Sequence, residues 1–254
     1  MKKPNSLESF KNSPHPSFKH TTYFDVYDRL LSPYKDKEIC FVEVGVLNGG
    51  SLFMWRDFFG PKARIIGIDL NPAAKKWEKH GFEIYTGSQS DPDFWDNFIL
   101  EVGPIDIFLD DGGHTYLQQI ISAECLLQNI ADGGMLIVED THTSYMDGFG
   151  DKKHSFIHYA KLWVDKINTR FGKFNNDSSQ SDRRVWSVEF FESIVAFKVN
   201  KAATKVKSEP VWNKKPVQME DDFRYQDREL LEDKKSKISS ILDQAFSIYQ
   251  KRES

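Results

Sequence analysis

The sequence predicts an α/β fold built on a doubly wound, mostly parallel sheet. Between residues 39 and 138, short apolar runs alternate with amphipathic helical segments. This alternation needs crossover connections, which place helices on both faces of a parallel sheet. Two later apolar runs follow each other without a helix between them, which indicates an antiparallel hairpin at one edge.

Apolar positions spaced three or four residues apart predict the helices, and uninterrupted apolar runs predict the buried strands. In chain order, we expect a helix over 21–31, a strand over 39–44, a helix over 52–59, strands over 65–70 and 82–85, a helix over 93–101, a strand over 105–109, a helix over 116–130, a turn over 132–134, a strand over 135–138, a helix over 154–171, a polar loop over 172–184, and strands over 185–191 and 193–199.

Composition shifts divide the chain into three parts. Residues 1–18 are polar with three prolines and predict a flexible arm, whereas residues 19–200 form the main domain. Residues 201–254 form a charged extension that ends in an amphipathic helix. Its apolar stripe can pack on its own domain or on a second copy, so a homo-oligomer is one of two open alternatives. The stripe consists of Leu231, Ile238, Ile241, Leu242, Ala245 and Tyr249.

The composition excludes several classes of protein. With 39% hydrophobic and 14% aromatic residues in 254, the chain can bury a large core, which excludes global disorder. A net charge of −4 disfavours nucleic-acid binding through a broad basic face. Two cysteines predict no disulfide framework, and the sequence predicts neither a signal peptide nor a membrane-spanning apolar run. We therefore expect a cytoplasmic protein without a membrane span.

The segment after the first predicted strand has the composition of a ligand-binding loop. It runs from Glu43 to Ser51 and spaces its glycines G-x-x-x-G-G, not the G-x-G-x-x-G of dinucleotide sites. Glycines let the backbone approach a ligand, and the following helix offers free N–H groups. The acid ahead of Gly45 suits a cationic or hydroxyl-bearing ligand; a tight turn without a ligand is the alternative.

Polar residues also follow the next two strands. Asp69 stands about 20 residues beyond the glycine loop, where an acid can bind ribose hydroxyls, although it could simply cap a helix. Ser88 and Gln89 can reach an adenine, or merely form a turn. The candidate cofactor-binding residues are Glu43, Gly45, Asn48, Gly49, Ser51, Asp69, Ser88, Gln89 and Asp110.

Three acids should converge after two later strands. If these strands are neighbours, Asp111, Glu139 and Asp140 meet in one pocket and repel each other unless a cation neutralises them. Ligation by oxygen alone selects a hard ion such as Mg²⁺. His114 lies close enough to remove a proton from a metal-bound hydroxyl, although a lone histidine can be structural. His142 and Tyr145 follow the acid pair and are candidates for substrate contact, or belong to a loop without a role.

These motifs resemble the S-adenosylmethionine site of class I methyltransferases. More narrowly, they resemble the metal-dependent sugar O-methyltransferases of macrolide biosynthesis, the mycinamicin and macrocin O-methyltransferase family. The likeness covers residues 19–200. Its pieces are Glu43-Val-Gly-Val-x-x-Gly-Gly-Ser-Leu-x-Met-Trp55, Asp110-Asp-Gly-Gly-His114, Gly133-Gly-x-x-x-x-Glu139-Asp140, Tyr145-x-x-Gly-Phe-Gly150 and His20-Thr-Thr-Tyr23-x-x-x-Tyr27.

The resemblance implies a Rossmann-like fold and Mg²⁺-assisted methyl transfer from S-adenosylmethionine. The implied acceptor contains carbohydrate: a glycan, a nucleotide sugar or a glycosylated natural product. Asp111, Glu139 and Asp140 match the family's metal ligands, and His114 matches its general base. Glu43, Gly45 and Asp69 match positions around the cofactor.

Two other classes of function stay open on the sequence alone. A nicotinamide-dependent oxidoreductase could use the same fold, although the absent G-x-G-x-x-G and the acid cluster count against it. A non-catalytic binding or assembly protein could use the C-terminal helix as its interface.

Overall fold

A computed structural model describes residues 4–171, 184–214 and 234–250, with side chains of the last helix up to residue 245. The chain divides into two compact units, Met1–Ser208 and Glu209–Ser254. The predicted boundary at residue 201 lies a few residues earlier. The predicted loop over 172–183, Leu231 and the side chain of Tyr249 lie outside the described residues.

Seven strands form one sheet in the order β3-β2-β1-β4-β5-β7-β6. The first five strands are parallel, and β7 runs antiparallel to both β5 and β6. The predicted doubly wound sheet with an antiparallel edge hairpin is therefore confirmed. The strands are β1 (Cys40–Val44), β2 (Arg64–Asp69), β3 (Glu83–Thr86), β4 (Ile105–Asp110), β5 (Ile130–Val138), β6 (Val185–Phe191) and β7 (Ile194–Val199).

Helices connect the strands, and polar caps fix several of their starts. Asp91 caps α4 ahead of Pro92, and Thr115 forms a capping box with Gln118 at the start of α5. The α-helices are α1 (Ser6–Asn12), α2 (Tyr23–Leu31), α3 (Gly50–Phe59), α4 (Pro92–Val102), α5 (Tyr116–Leu126), α6 (Phe156–Asn168), α7 (Lys201–Lys205) and α8 (Lys235–Gln250). The described residues also form 3-10 helical segments over Ser32–Tyr34, Pro72–His80, Thr141–Tyr145 and Lys152–His154.

The core consists of two apolar layers, one on each face of the sheet. Successive strand side chains point to opposite faces, so Phe41 packs in one layer and Val42 in the other. All five residues of β1 are buried. Burial on both faces explains why the central strands read as continuous apolar runs in the sequence.

The structure differs from the sequence-based expectation at the N-terminus. Residues 1–18 predict a flexible arm, but Ser6–Asn12 forms α1, which begins with a capping box at Asn5. Ser6 is buried; its hydroxyl donates to the Phe24 carbonyl at 2.9 Å and its backbone N–H to Asp28 at 2.8 Å. These contacts with α2 depend on tertiary structure, which the polar, proline-containing composition does not reveal.

A second difference concerns the connection between α5 and β5. The helix expected over 116–130 ends at Leu126, and β5 begins at Ile130 and runs through the predicted turn. Ile130 pairs with Ile105 before a register shift, so the strand ladder starts earlier than the turn residues indicate. Gly133, with φ of +85°, accommodates the irregularity.

The sheet places two loops at the point where strand order reverses. Strands β1 and β4 are neighbours, and the loops that follow them meet beyond their carboxyl ends. Ligands of open α/β sheets bind in this crevice. None of the described helices combines the length and apolar character needed to cross a membrane.

Candidate functional site

A cavity of about 330 Å³ opens beyond the carboxyl ends of β1, β4 and β5. Seven of the predicted site residues line it: Gly45, Asn48, Ser51, Asp111, His114, Glu139 and Asp140. Its other wall comes from Tyr23 and from residues 16–20. His20 and Tyr23 belong to a motif that resembles the family, whereas residues 16–19 were not predicted to contribute. The ends of β1, β4 and β5 therefore share one cavity, whereas the predicted site residues at or after the ends of β2 and β3 do not line it.

The glycine loop after β1 is held tightly against the loop after β4. Gly45 has φ of +94°, and a Cβ there would lie 2.0 Å from the Asp111 carbonyl oxygen. Asp69 adds a second constraint, because its Oδ2 accepts the backbone N–H groups of Val46 at 3.0 Å and Leu47 at 2.9 Å. Asp69 thus orders the loop and lies outside the cavity lining, instead of capping a helix.

Glu43 lies behind the cavity wall. It is fully buried and accepts hydrogen bonds from Ser51 Oγ at 2.6 Å and Trp55 Nε1 at 3.0 Å. Burial raises the pKa of Glu43 to about 7, although the Lys19 ammonium 3.8 Å away acts to lower it. Glu43 therefore supports Ser51, which does line the cavity.

Gln89 and Asp110 also support the site from behind. Gln89 Nε2 donates to both carboxylate oxygens of Asp110, at 3.0 and 3.1 Å, and its Oε1 accepts the Gly113 N–H at 2.9 Å. Both side chains are buried, and burial raises the pKa of Asp110. Together they fix the turn that leads to His114.

Gly49 and Ser88 have local structural contacts. A Cβ on Gly49 would lie 2.3 Å from the Trp77 ring, so only glycine fits there. Ser88 Oγ accepts the Ser90 N–H at 3.2 Å. Neither residue lines the cavity among the described residues.

Two of the three predicted acids converge with His114. Ligand atoms of Asp111, His114 and Asp140 lie within 4.8 Å of one another, and His114 Nε2 is 3.3 Å from Asp140 Oδ2. His114 and Asp140 both have left-handed backbones, with φ of +58° and +53°. Such strain in non-glycine residues is concentrated at functional sites. His114 Nδ1 is buried and has no hydrogen-bond partner among the described residues.

The third acid, Glu139, is engaged elsewhere. It is fully buried, its Oε1 accepts the Tyr27 hydroxyl at 2.5 Å, and its Oε2 accepts the Lys19 ammonium at 2.9 Å. Asp140 instead accepts the Tyr23 hydroxyl at 2.5 Å. The two adjacent acids therefore have different surroundings.

Lys19 is the site residue that the sequence reasoning missed. Its side chain is 1% exposed, and its Nζ lies 2.6 Å from Asp111 Oδ2 as well as close to Glu139 and Glu43. Burial acts to lower the pKa of Lys19, but Asp111 and Glu139 outweigh it and hold that pKa above its ordinary value. The chain itself thus supplies a cation to the acid cluster. Only its place beside the His20-Thr-Thr-Tyr23 motif could have indicated this.

His142 lies at the edge of the site, and Tyr145 ends the same 3-10 segment. His142 Nδ1 is 3.8 Å from Asp140 Oδ1 and 2.9 Å from Ser193 Oγ, and with His20 and Asp140 it forms a second group of three potential ligands. Tyr145 is half exposed. Neither His142 nor Tyr145 lines the cavity in the part of the chain described here.

The strand order, the reversed edge strand and the glycine loop define the Rossmann-like fold of class I methyltransferases. The chain is structurally similar to the MycE methyltransferase of the mycinamycin biosynthetic pathway, solved in complex with Mg and SAH, with a TM-score of 0.73 and 25% identity over 86% of this chain and 58% of that one. No protein-family model matches the sequence.

Curated relatives confirm the resemblance to sugar O-methyltransferases. One is the 8-demethyl-8-alpha-L-rhamnosyl tetracenomycin-C 2'-O-methyltransferase of Streptomyces olivaceus, 28% identical over 68% of this chain and 49% of the relative. Another is the mycinamicin VI 2''-O-methyltransferase of Micromonospora griseorubida, 34% identical over 49% of this chain and 32% of the relative. The chain therefore spans half or less of the length of these relatives.

Proposed function

We propose that this chain is an S-adenosylmethionine-dependent O-methyltransferase that acts on a sugar hydroxyl of a glycosylated natural product, with a divalent cation, Mg²⁺, at the acid cluster. One observation supports this most strongly: Asp111, His114 and Asp140 converge on the same cavity as the glycine loop. The named activities of the relatives support the same reaction and do not favour a nicotinamide-dependent oxidoreductase.

The glycine loop and its supports are the proposed cofactor site. Gly45, Asn48 and Ser51 line the cavity and would contact S-adenosylmethionine directly. Asp69 retains acceptor capacity for ribose hydroxyls after its three backbone contacts, because a carboxylate has about four lone-pair sites. Glu43, Gly49, Ser88, Gln89 and Asp110 would shape this site from the second layer.

The acid cluster fits a hard divalent ion. Mg²⁺ is commonly bound through one or two carboxylates together with substrate oxygens and waters, and Asp111 and Asp140 provide two carboxylates. The ion would lower the pKa of a hydroxyl bound to it, and the cofactor would supply a methyl group on a sulfonium. Asp111 and Asp140 would also orient the acceptor.

His114 is the proposed general base. Its Nε2 faces the carboxylates and would accept the proton of the acceptor hydroxyl. Asp140, at 3.3 Å, would stabilise the resulting imidazolium. The remaining task of the protein is alignment, since the hydroxyl oxygen must approach the methyl carbon in line with the bond to sulfur.

The acceptor would enter from the side lined by residues 16–20. Phe18 lies there with 79% of its surface exposed and offers an apolar face, while His20 and His142 offer polar groups nearby. A ring that has one apolar face and several hydroxyl groups would suit this combination of an aromatic face and polar side chains.

Methyl transfer can be tested with S-adenosylmethionine carrying a labelled methyl group. We expect label on the sugar of a rhamnosyl tetracenomycin, the acceptor named for one relative, none on its aglycone, and loss of transfer when EDTA removes divalent ions. Label on the aglycone would contradict the assignment to a sugar hydroxyl. Transfer that persists in EDTA would contradict the role of the ion.

A further inference from the structure

Two adjacent acids of the site each have one carboxylate oxygen held by a phenol of α2. Tyr23 donates its hydroxyl to Asp140 Oδ1 at 2.5 Å, and Tyr27 donates its hydroxyl to Glu139 Oε1 at 2.5 Å. Tyr23 is 1% exposed and Tyr27 is fully buried. Short hydrogen bonds to an ionised carboxylate are among the strong ones. Because a tyrosine hydroxyl is neutral near pH 7, it orients the acid without cancelling its charge.

The spacing of the two phenols follows from the helix that carries them. Residues four positions apart lie on the same face of an α-helix, so Tyr23 and Tyr27 reach in the same direction. Their acceptors are the two consecutive residues that follow β5. The Tyr27 ring also packs against Trp55, with ring centroids 5.1 Å apart, which restricts its movement. One face of α2 therefore contacts both acids.

The second oxygen of each acid faces the other charged groups of the site. Asp140 Oδ2 lies 3.3 Å from His114 Nε2. Glu139 Oε2 and Asp111 Oδ2 both contact the Lys19 ammonium, at 2.9 and 2.6 Å, so these two oxygens point toward a common position. Each phenol thus holds the oxygen nearer to α2 and leaves the other oxygen directed at the cluster.

The phenol is a closer partner of Asp140 than the nearby imidazoles are. His20 Nε2 and His142 Nδ1 each lie 3.8 Å from Asp140 Oδ1, which is beyond hydrogen-bond distance. The orientation of this carboxylate therefore depends on Tyr23 more than on either histidine.

We propose that Tyr23 and Tyr27 are positioning residues for the ion, because each phenol fixes one oxygen of an acid and thereby directs the other oxygen at Mg²⁺. The inference rests on the proposed function for the presence of an ion. Carboxylates that bind a metal are commonly oriented by a further hydrogen bond, and loss of this bond weakens metal binding. An ion bound by Glu139 Oε2 would replace the contact of that oxygen with Lys19.

The test measures Mn²⁺ binding by electron paramagnetic resonance, because Mn²⁺ shares the preference of Mg²⁺ for oxygen ligands. Tyr23→Phe and Tyr27→Phe each remove one oxygen atom and keep the aromatic ring. We expect each substitution to lower the affinity for Mn²⁺ by about 10–100-fold, the range observed for groups that orient a metal ligand.

Tyr34→Phe is the matched control. The Tyr34 hydroxyl donates to the Gly133 carbonyl of β5 at 2.5 Å, so the substitution removes an equally short phenol hydrogen bond that does not involve an acid. It should leave the affinity for Mn²⁺ unchanged. Urea unfolding of the three variants should show losses of stability that do not follow the losses of Mn²⁺ affinity.

A second measurement uses the wild type and needs no variant to fold. An ion draws charge from a carboxylate and weakens the hydrogen bond that the carboxylate accepts. Mg²⁺ should therefore change the ultraviolet difference spectrum of tyrosine in the wild type and in Tyr34→Phe, and the change should be smaller in Tyr23→Phe and Tyr27→Phe.

Three results would overturn the proposal: a wild type that binds no Mn²⁺, a wild type whose tyrosine spectrum ignores Mg²⁺, or a Tyr23→Phe or Tyr27→Phe protein that binds Mn²⁺ as tightly as Tyr34→Phe does. Failure of the proposed function looks different. In that case both phenols control the affinity for Mn²⁺, but no methyl group is transferred.

Discussion

The two halves of the site are built differently. In the cofactor half, the hydrogen bonds by which Glu43 and Asp69 hold the glycine loop and α3 join residues 8 to 23 positions apart. In the ion half, Lys19 reaches Asp111 and Glu139 across 92 and 120 positions. The first half depends on a local loop, and the second depends on charges that only the complete fold brings together.

This difference implies that the halves can be disabled separately. The glycine loop is ordered by backbone N–H groups bonded to the Asp69 side chain and by a close approach to the Asp111 backbone, and neither contact uses the carboxylate oxygens of the ion half. The ion half is ordered by carboxylates, phenols and one ammonium. Substitutions in one half should therefore spare the binding function of the other.

The largest effect should come from His114→Ala. Losing the general base should lower kcat by about 10²–10⁴, while the affinity for S-adenosylmethionine stays within about threefold of wild type. Steady-state kinetics and calorimetry on the same preparation measure both quantities. If cofactor affinity collapses as well, His114 is structural and the halves are not separable.

Gly45→Ala should break the cofactor half. The substitution combines a left-handed backbone, costing about 1–2 kcal/mol, with a clash of the new Cβ against the Asp111 carbonyl oxygen. Gly81→Ala is the matched control, since its φ of +81° imposes similar strain but nothing lies within 4 Å. Thermal unfolding should show a loss of stability in both variants, larger in Gly45→Ala because of the added clash, and calorimetry should show weakened cofactor binding only in Gly45→Ala. Equal cofactor affinities would contradict the close approach of the two loops.

Glu43→Gln tests the cofactor half through the pH dependence of folding stability. Burial raises the pKa of Glu43 to about 7, above its value in the unfolded chain. The folded state then holds this proton more tightly, so the stability it contributes is complete below about pH 4.5 and is lost as the pH rises through 7. Between pH 5 and 8 without divalent ions, the wild type should lose about 2 kcal/mol relative to Glu43→Gln in urea unfolding. If the free energies of unfolding of the wild type and Glu43→Gln change with pH in parallel, the pKa of Glu43 is not raised.

The sequence predicted the sheet well because its central strands are buried on both faces. The runs that became β1 and β4 are apolar and end in the acids and glycines of the site, so strand, loop and chemistry coincide. The predicted start of β5 was wrong, because the pairing of Ile130 with Ile105 outweighs the turn-forming tendency of residues 132–134.

The contacts of the site were harder to predict than its residues. Asp111, His114 and Asp140 meet as expected, because they follow neighbouring strands. Lys19 was missed, since a single lysine in a proline-containing polar segment carries no periodic signal. The contacts of Glu139 depend on Lys19 and on Tyr27. The adjacent positions of Glu139 and Asp140 in the sequence therefore could not predict that the two acids bind different partners.

Calorimetric titration of S-adenosylmethionine into the wild-type protein tests the central claim most directly, with one titration in EDTA and one in Mg²⁺. We predict that the cofactor binds in both conditions with affinities within about threefold, because its half of the site is ordered without the ion. Loss of binding in EDTA, or binding of NADH in place of S-adenosylmethionine, would contradict this account.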